Sequence, residues 1–369
     1  MATSHLVIDS GTGCIKAGFA GDEYPQCTFS NILGSAKYSK CMTGAVEGFH
    51  VGDSVQKHRG MLKLSYPMRH GMIEDWEGME KIWAHVYSTM NVMSEEHNVL
   101  LTETPFTPQR MKERVAEVFF ETFNVLGMCY ALQPVLALYA SGNNTGVVLS
   151  SGDGVTHAVP IYEGYSIPHA MARINLAGRD VTEHLQLQLR KSGHHFTTGA
   201  EFEILRQMKE HVCRVALLPQ MEIQVEDKGG LNYKEHKLPD GNVIKVGAEQ
   251  FLAPEVLFNP SMIGSECTPI HEVISTTIAK SDTDIRAHLY TSIHLAGGTT
   301  LLKGFGDRLL AEMRKTCPPK APIKIRAPPE RKYTAWLGGS ILASLAAFKN
   351  ACVTRQKYLE HGVKALSTV

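Results

Sequence analysis

Two glycine-rich turns carry the residue types best suited to chemistry. The first reads Leu6-Val7-Ile8-Asp9-Ser10-Gly11-Thr12-Gly13-Cys14-Ile15-Lys16. The second reads Val147-Val148-Leu149-Ser150-Ser151-Gly152-Asp153-Gly154-Val155-Thr156-His157. Each is an apolar run, a turn of small residues with an acid, and a second apolar run. Glycine removes the Cβ that keeps backbone amides away from a phosphate. An acid beside such a turn supplies oxygen for a Mg2+ shell, and Lys16 is close enough to touch a phosphate as a point charge. One turn of this kind is matched by any ordinary hairpin; two, each with an acid, point to a polyphosphate site. A third stretch, Leu295-Ala296-Gly297-Gly298-Thr299-Thr300-Leu301-Leu302, would let a flat ring lie on bare backbone, or would equally be a tight turn before a helix near Gly306. The common nucleotide motifs do not fit. There is no G-x-x-x-x-G-K-[ST] loop, and Gly11-x-Gly13 lacks the third glycine of a dinucleotide turn.

The elements that must position these turns alternate between strand-like and helix-period runs, which predicts an α/β fold with mixed sheets. Thr107-Pro108 reads as an N-cap and a first-turn proline, followed by Met111, Val115, Val118, Phe119 and Phe123 at helical spacing. Trp76, Met79, Trp83 and Val86 form another stripe; both stripes read as core packing. Gly178-Arg179-Asp180 precedes a helix that buries Val181, Leu185 and Leu189 and is stopped by Gly193. Lys37–Phe49 and Glu226–Gly230 read as surface loops, and Leu238-Pro239-Asp240-Gly241-Asn242 as a hairpin turn. Lys315–Lys332, rich in Pro, Lys and Arg, reads as a solvated loop with an edge strand.

Composition excludes several functions. The 369 residues are 43% hydrophobic and 20% charged, as in an ordinary globular protein. Lys+Arg and Asp+Glu are both 37, so no nucleic-acid partner is expected. The near-neutral surface permits association between copies. The eight cysteines form no C-x-x-C pair, and no leader-like segment is apparent; reduced thiols in the cytoplasm are the expectation. His194-His195 reads as a loop rather than a metal site. The longest apolar stretch, near Gly338–Phe348, is too short to cross a bilayer, so no membrane insertion is expected.

The three glycine stretches together resemble the nucleotide-binding signature of the actin superfamily, which sugar kinases and heat-shock ATPases share. The resemblance runs from end to end. Tyr66-Pro67-Met68-Arg69-His70-Gly71, Leu100-Leu101-Thr102-Glu103, Tyr162-Glu163-Gly164-Tyr165, Leu176-Ala177-Gly178-Arg179-Asp180 and Trp336-Leu337-Gly338-Gly339-Ser340 read as blocks of this family. Within it, Thr299–Leu310, Val118–Val125 and the phrase from Gly146 to Gly164 are most similar to the actin-related proteins that form the short filament of dynactin.

The resemblance implies two similar lobes, in four subdomains, around a central nucleotide cleft. Residues 1–30, 67–140 and 334–369 would form the outer base and 31–66 the outer tip. Residues 141–176 and 266–333 would form the inner base and 177–265 the inner tip. The implied ligands are ATP or ADP with Mg2+. Thr12, Gly13, Cys14 and Lys16 would hold the β- and γ-phosphates from one side, and Gly152, Asp153, Gly154 and Val155 from the other. Asp9 would organise the metal's waters. Gly178, Arg206, Lys209, Glu210, Gly297, Gly298, Thr299, Leu301 and Lys332 match the adenosine pocket. Gln133 and His157 match the residues that position the attacking water, a task of orientation rather than strong basicity. The implied partners are copies of this chain in a short filament, other actin-related or dynactin subunits, and the dynein machinery, in the cytoplasmic cytoskeleton.

Several residues depart from the family pattern. Ser150 stands where the second turn normally has Asp. A hydroxyl brings no charge to the metal's water shell, so nucleotide binding with slow or absent hydrolysis is expected. Leu302 stands where an aromatic usually flanks adenine. Pro134, just after Gln133, removes a backbone donor and is expected to alter the helix there. Met1–His5 lacks the acidic cluster that actin offers myosin, and Lys364–Val369 lacks actin's ending. Myosin partnership and efficient copolymerisation with actin are therefore not expected. Pro260-Ser261-Met262-Ile263-Gly264 looks like an inter-strand contact loop, whereas the Lys37–Phe49 loop is unlike actin's. A dynamic actin-like ATPase is the alternative reading. A small-molecule kinase lacks a recognisable acceptor site here, and a chaperone of this fold needs a peptide-binding domain that the sequence does not offer.

Overall fold

The apolar run Leu6-Val7-Ile8 has no polar alternation, which suits a strand covered on both faces. All three side chains are fully buried. In the computed structural model, which describes residues 5–37, 48–227, 233–319 and 321–368, this strand lies inside a six-stranded sheet. The order is Val353–Thr354, Gly127–Leu132, Asn98–Glu103, Leu6–Ser10, Cys14–Phe19, Cys27–Ser30. Leu6–Ser10 runs parallel to Asn98–Glu103 and antiparallel to Cys14–Phe19. Alternate residues serve two cores. Leu6, Ile8, Val99 and Leu101 pack with Met79, Ile82, Trp83 and Val86 of the helix Trp76–Met90. Val7 and Leu100 pack on the opposite face with Leu136 and Trp336.

On that second face the helices Gln133–Ala140 and Thr334–Ser344 meet backbone to side-chain-free backbone. A Cβ on Gly338 would stand 1.8 Å from the Leu136 carbonyl oxygen. Beside it, the Trp336 indole N–H donates to Val7 O at 3.1 Å, which satisfies a buried donor.

The chain divides into two compact units. One comprises Met1–Asn144, Glu163–Ser166 and Glu330–Val369; the other comprises Thr145–Tyr162 and Ile167–Pro329. The second unit repeats the theme of the first. Gly146–Ser151 runs antiparallel to Thr156–Tyr162 and parallel to Ile293–Ala296, which pairs in turn with Ile325–Arg326. Val147, Leu149 and Ala158 pack with Val181, Leu185 and Leu189 of the helix Gly178–Lys191, and with Ile274 and Phe305.

The expected helices are present, with local shifts. Pro108 has ψ 140 and precedes the helix Gln109–Glu117, so the helix begins one residue later than the Thr107 cap predicts. Thr107 instead bonds Thr104, with its hydroxyl donating to Thr104 O at 2.8 Å. The stripe continues through a π-turn at Val118–Thr122. Gly178 is the first residue of its helix, and Gly193 ends it at φ 89 with its N–H on Arg190 O. Pro134 falls in the first turn of Gln133–Ala140. A missing N–H is harmless there, because first-turn amides have no helical partner, so the expected disturbance of that helix is not found.

Ile325–Arg326 is the edge strand of the Lys315–Lys332 segment. The turn at 238–242 joins the paired strands Lys234–Lys237 and Val243–Val246. Glu226 and Asp227 close the helix Pro219–Asp227 rather than opening a loop; the rest of that expected loop lies outside the described residues. So do residues 38–47 of the Lys37–Phe49 loop, the first four residues, and Val369. Among the described residues no helix is long and apolar enough to cross a membrane, and no group of three or more His, Cys, Asp or Glu could hold a metal ion.

Candidate functional site

The two glycine turns are the same structure made twice. In the first, Gly11 N–H donates to Cys14 O at 3.2 Å; in the second, Gly152 N–H donates to Val155 O at 3.0 Å. The strand registers then match position by position. Asp9 faces Lys16 across the first hairpin, and Ser150 faces His157 across the second. Both turns leave the carboxyl end of a strand that runs parallel to its neighbour, where open α/β sheets bind ligands.

In the first unit this end of the sheet gathers Asp9, Lys16 and Gln133. Asp9 is buried, and each of its oxygens is engaged. Lys16 Nζ lies 2.5 Å from Oδ2. Thr102 Oγ1 donates to Oδ1 at 2.6 Å, and Gln133 Nε2 donates to the same oxygen at 2.8 Å. Burial works against the Lys16 ammonium, but the Asp9 carboxylate outweighs it and holds the pKa above the ordinary lysine value. The turn itself is braced from outside. Asn31, wholly buried, donates from its side chain to Gly11 O at 3.0 Å and from its backbone to Gly13 O at 3.2 Å. Thr12 Oγ1 accepts from Gly71 N–H at 2.9 Å. Cys14 opens the strand after the turn. Lys332 belongs to this unit too, its Nζ 5.6 Å from the Tyr333 ring centre.

In the second unit the turn rests on the start of a helix. Gly178 N–H donates to Gly152 O at 3.0 Å and Arg179 N–H to Asp153 O at 2.8 Å. Thr299 Oγ1 adds a bond to Gly152 O at 2.6 Å, and Lys209 Nζ donates to Gly178 O at 2.7 Å. Gly152, Asp153, Gly178, Lys209 and Thr299 therefore form one connected group, with Gly154 and Val155 completing the turn. Arg206 joins Glu203 at 2.9 Å and Glu210 at 3.0 Å. Burial lowers the Lys209 pKa despite the nearby Asp153 and Glu210 carboxylates.

Gly297, at φ 86, must be glycine for a second reason: a Cβ would meet Ser151 O at 2.3 Å. Gly298 has open space around it, and Leu301 is 40% exposed on the same 3-10 turn. Leu302 is 9% exposed and packs into the unit's core.

The glycine-rich turns, each closed by a main-chain bond, permit close approach of a phosphate, and in the first unit Lys16 and Asp9 supply a cation and a carboxylate, donors that fit a nucleotide's phosphates and Mg2+. His157, 2% exposed, has no hydrogen-bond partner for either ring nitrogen among the described residues.

Sequence reasoning missed Asn31 and Thr102. Asn31 reaches the turn because it follows Cys27–Ser30, which pairs antiparallel with the strand after the turn. Thr102 had a usable signal: it is where the apolar run Val99-Leu100-Leu101 turns polar, at a parallel strand's carboxyl end.

Two mixed sheets, each built round the same hairpin, define an α/β protein of the actin fold. The profile of the family described as Actin matches residues 1–368. An "Actin-like protein" of Neurospora crassa is 48% identical over 362 residues, covering 96% of this chain and 95% of that protein. The chain belongs to the actin family, and with it to the actin-related proteins of the cytoskeleton.

The environment of His157 sets a pH dependence. Burial, with Arg173 nearby, pushes its pKa down to about 3. An unfolded histidine titrates near 6.5, so the unfolded chain binds the extra proton between these values. The stability this histidine contributes is complete above pH ~6.5 and is lost as pH falls toward 3, by about 2 kcal/mol between pH ~6.5 and ~5. Urea midpoints should fall over that interval, and less steeply in His157→Gln. Identical slopes in the two proteins would contradict this account. His294, pushed down to about 4 by burial and Arg326, keeps the variant's slope from vanishing.

Proposed function

We propose that this chain is a centractin-type filament subunit that carries ATP or ADP with Mg2+, and that it supports dynein-driven transport on microtubules as part of a dynactin-like assembly in the cytoplasm. The observation that carries the reading is the doubled hairpin, with one copy keeping a carboxylate–ammonium pair and the other holding a hydroxyl and an uncharged imidazole. The four-subdomain division is part of the same proposal. Thr12, Gly13, Cys14 and Lys16, with Gly152, Asp153, Gly154 and Val155, hold the phosphates. Asp9 orients the metal's waters. Gly178, Arg206, Lys209, Glu210, Gly297, Gly298, Thr299, Leu301 and Lys332 receive the nucleoside.

The bound nucleotide supplies the phosphoanhydride, and its Mg2+ supplies the charge that stabilises phosphoryl transfer. Gln133 and His157 orient a water, and neither is a strong base. Ser150 adds no charge, which leaves the nucleotide as a structural cofactor rather than a fuel. Part-exposed Met262 (36%) and Ile263 (38%), on the 3-10 turn Pro260–Ile263, support contact between copies. Retention of Gln133 and His157 favours the second reading, a dynamic actin-like ATPase.

Purified protein should retain about one adenine nucleotide per chain, quantified after denaturation, and form short filaments in negative stain. Protein that neither carries nor takes up ATP or ADP would overturn the proposal. Filaments that lengthen and shorten with hydrolysis would favour the second reading. Co-purification of dynein-adaptor components would tie the filament to transport.

A further inference from the structure

Thr102 makes a single contact pattern that fixes which way round the Gln133 amide lies. A threonine hydroxyl has one proton, and here it donates to Asp9 Oδ1 at 2.6 Å. Its lone pairs are then left to accept, and Gln133 Nε2 donates to them at 3.2 Å while also donating to Asp9 Oδ1 at 2.8 Å. Asp9 is held in turn by Lys16 at 2.5 Å on its other oxygen. An ionised carboxylate only accepts hydrogen bonds. Were the Gln133 amide turned over, its oxygen would face the Asp9 oxygen and a hydroxyl already committed elsewhere. Asp9 Oδ1 and Thr102 Oγ1 lie only 2.6 Å apart and so share one N–H of the amide nitrogen; that nitrogen is the end turned toward them, and Gln133 Oε1 is the end left to point away as a hydrogen-bond acceptor.

We infer that Thr102 is a positioning residue that, with Asp9, locks the Gln133 side chain so that its carbonyl oxygen is the group offered to a water. This rests on the proposed reading in which Gln133 orients the attacking water. The site supports it. Thr102 stands at the carboxyl end of Asn98–Glu103, one strand from Asp9, and Gln133 follows directly from the next strand, Gly127–Leu132. Three parallel strands thus end in the three members of the network.

The test uses 15N-glutamine-labelled full chain with ADP and Mg2+, in wild type, Thr102→Val and Thr102→Ser. The Gln133 side-chain signal is assigned by its loss in Gln133→Ala. Wild type should show a Gln133 NH2 pair displaced from the free-amide position and slow to exchange with solvent. Thr102→Val should move it toward the free position with faster exchange, and Thr102→Ser should restore the wild-type pattern. Single-turnover phosphate release, where wild type shows any, should fall about fivefold in Thr102→Val, the worth of one neutral hydrogen bond, with nucleotide affinity within about twofold. An unmoved Gln133 signal in Thr102→Val, or a serine variant displaced as far as the valine variant, overturns the inference. If wild type binds nucleotide but releases no phosphate, the amide signals alone decide. If it binds none, the spectra are compared without nucleotide, and it is the proposed function that fails.

Discussion

Ser150→Asp should raise single-turnover phosphate release about tenfold to hundredfold over wild type. The figure follows from restoring one charge-assisted contact, worth about 1.5–3 kcal/mol if it acts wholly in the transition state. The register of the second hairpin puts residue 150 opposite His157, as Asp9 is opposite Lys16 in the first. The wild-type pair at 150 and 157 carries no charge above pH ~6.5, because burial keeps the imidazole neutral far below that. A carboxylate placed there faces an uncharged imidazole across the hairpin where Asp9 faces a lysine. The added charge favours a metal's water shell, so the gain should need Mg2+ and disappear with EDTA. The same acid should make thermal stability more Mg2+-dependent in the variant than in wild type. Equal rates in the two proteins at saturating ATP and Mg2+ would overturn the proposal that Ser150 slows hydrolysis.

Among glycine-to-alanine changes at the described residues of the first unit, Gly338→Ala should cost the most stability. The added carbon would lie 1.8 Å from Leu136 O, 2.4 Å from its carbonyl carbon and 2.8 Å from its Cα. All three are backbone atoms, which no rotamer change can move aside. Ordinary overpacking costs about 1–3 kcal/mol, and a clash with backbone should reach at least the upper end. For a unit of this size that is a fall of about 6–12 °C in melting temperature. The contrast is Gly306→Ala, in the helix Phe305–Thr316, where the nearest atom would be Leu295 Cδ1 at 4.0 Å. That variant should melt within about 2 °C of wild type. A Gly338→Ala protein that melts with wild type would mean the two helices part without cost.

The glycine turns, the strands on either side of them and the helix stripes were legible in the sequence because each is written locally. Apolar runs bounded by Gly and small polar residues specify strands and turns, and Met79, Trp83 and Val86 fall on one helix face by spacing alone. The effect of Pro134 was misjudged for a local reason. Proline costs a helix only beyond its first turn, and the sequence does not mark the boundary at Gln133 to within one residue. The site was legible as a set of residue types but not as a set of bonds. Asp9 and Lys16 are seven apart, and only the register of the hairpin brings them together. Thr102 and Gln133 reach Asp9 because three strands are adjacent in an order, Gly127–Leu132, Asn98–Glu103, Leu6–Ser10, that chain position does not reveal. Asn31 braces the first turn from just beyond Cys27–Ser30, the strand that lies antiparallel to Cys14–Phe19.

Each cradle is shut by an amide-to-carbonyl bond, Gly11 to Cys14 and Gly152 to Val155, so its outline is indifferent to what hangs from positions 9, 16, 150 or 157. On the proposed function, gripping and cutting are consequently separable traits. A polymer that keeps time by spending its nucleotide and one that stays riveted for life can differ by a single side chain, with no loop rebuilt.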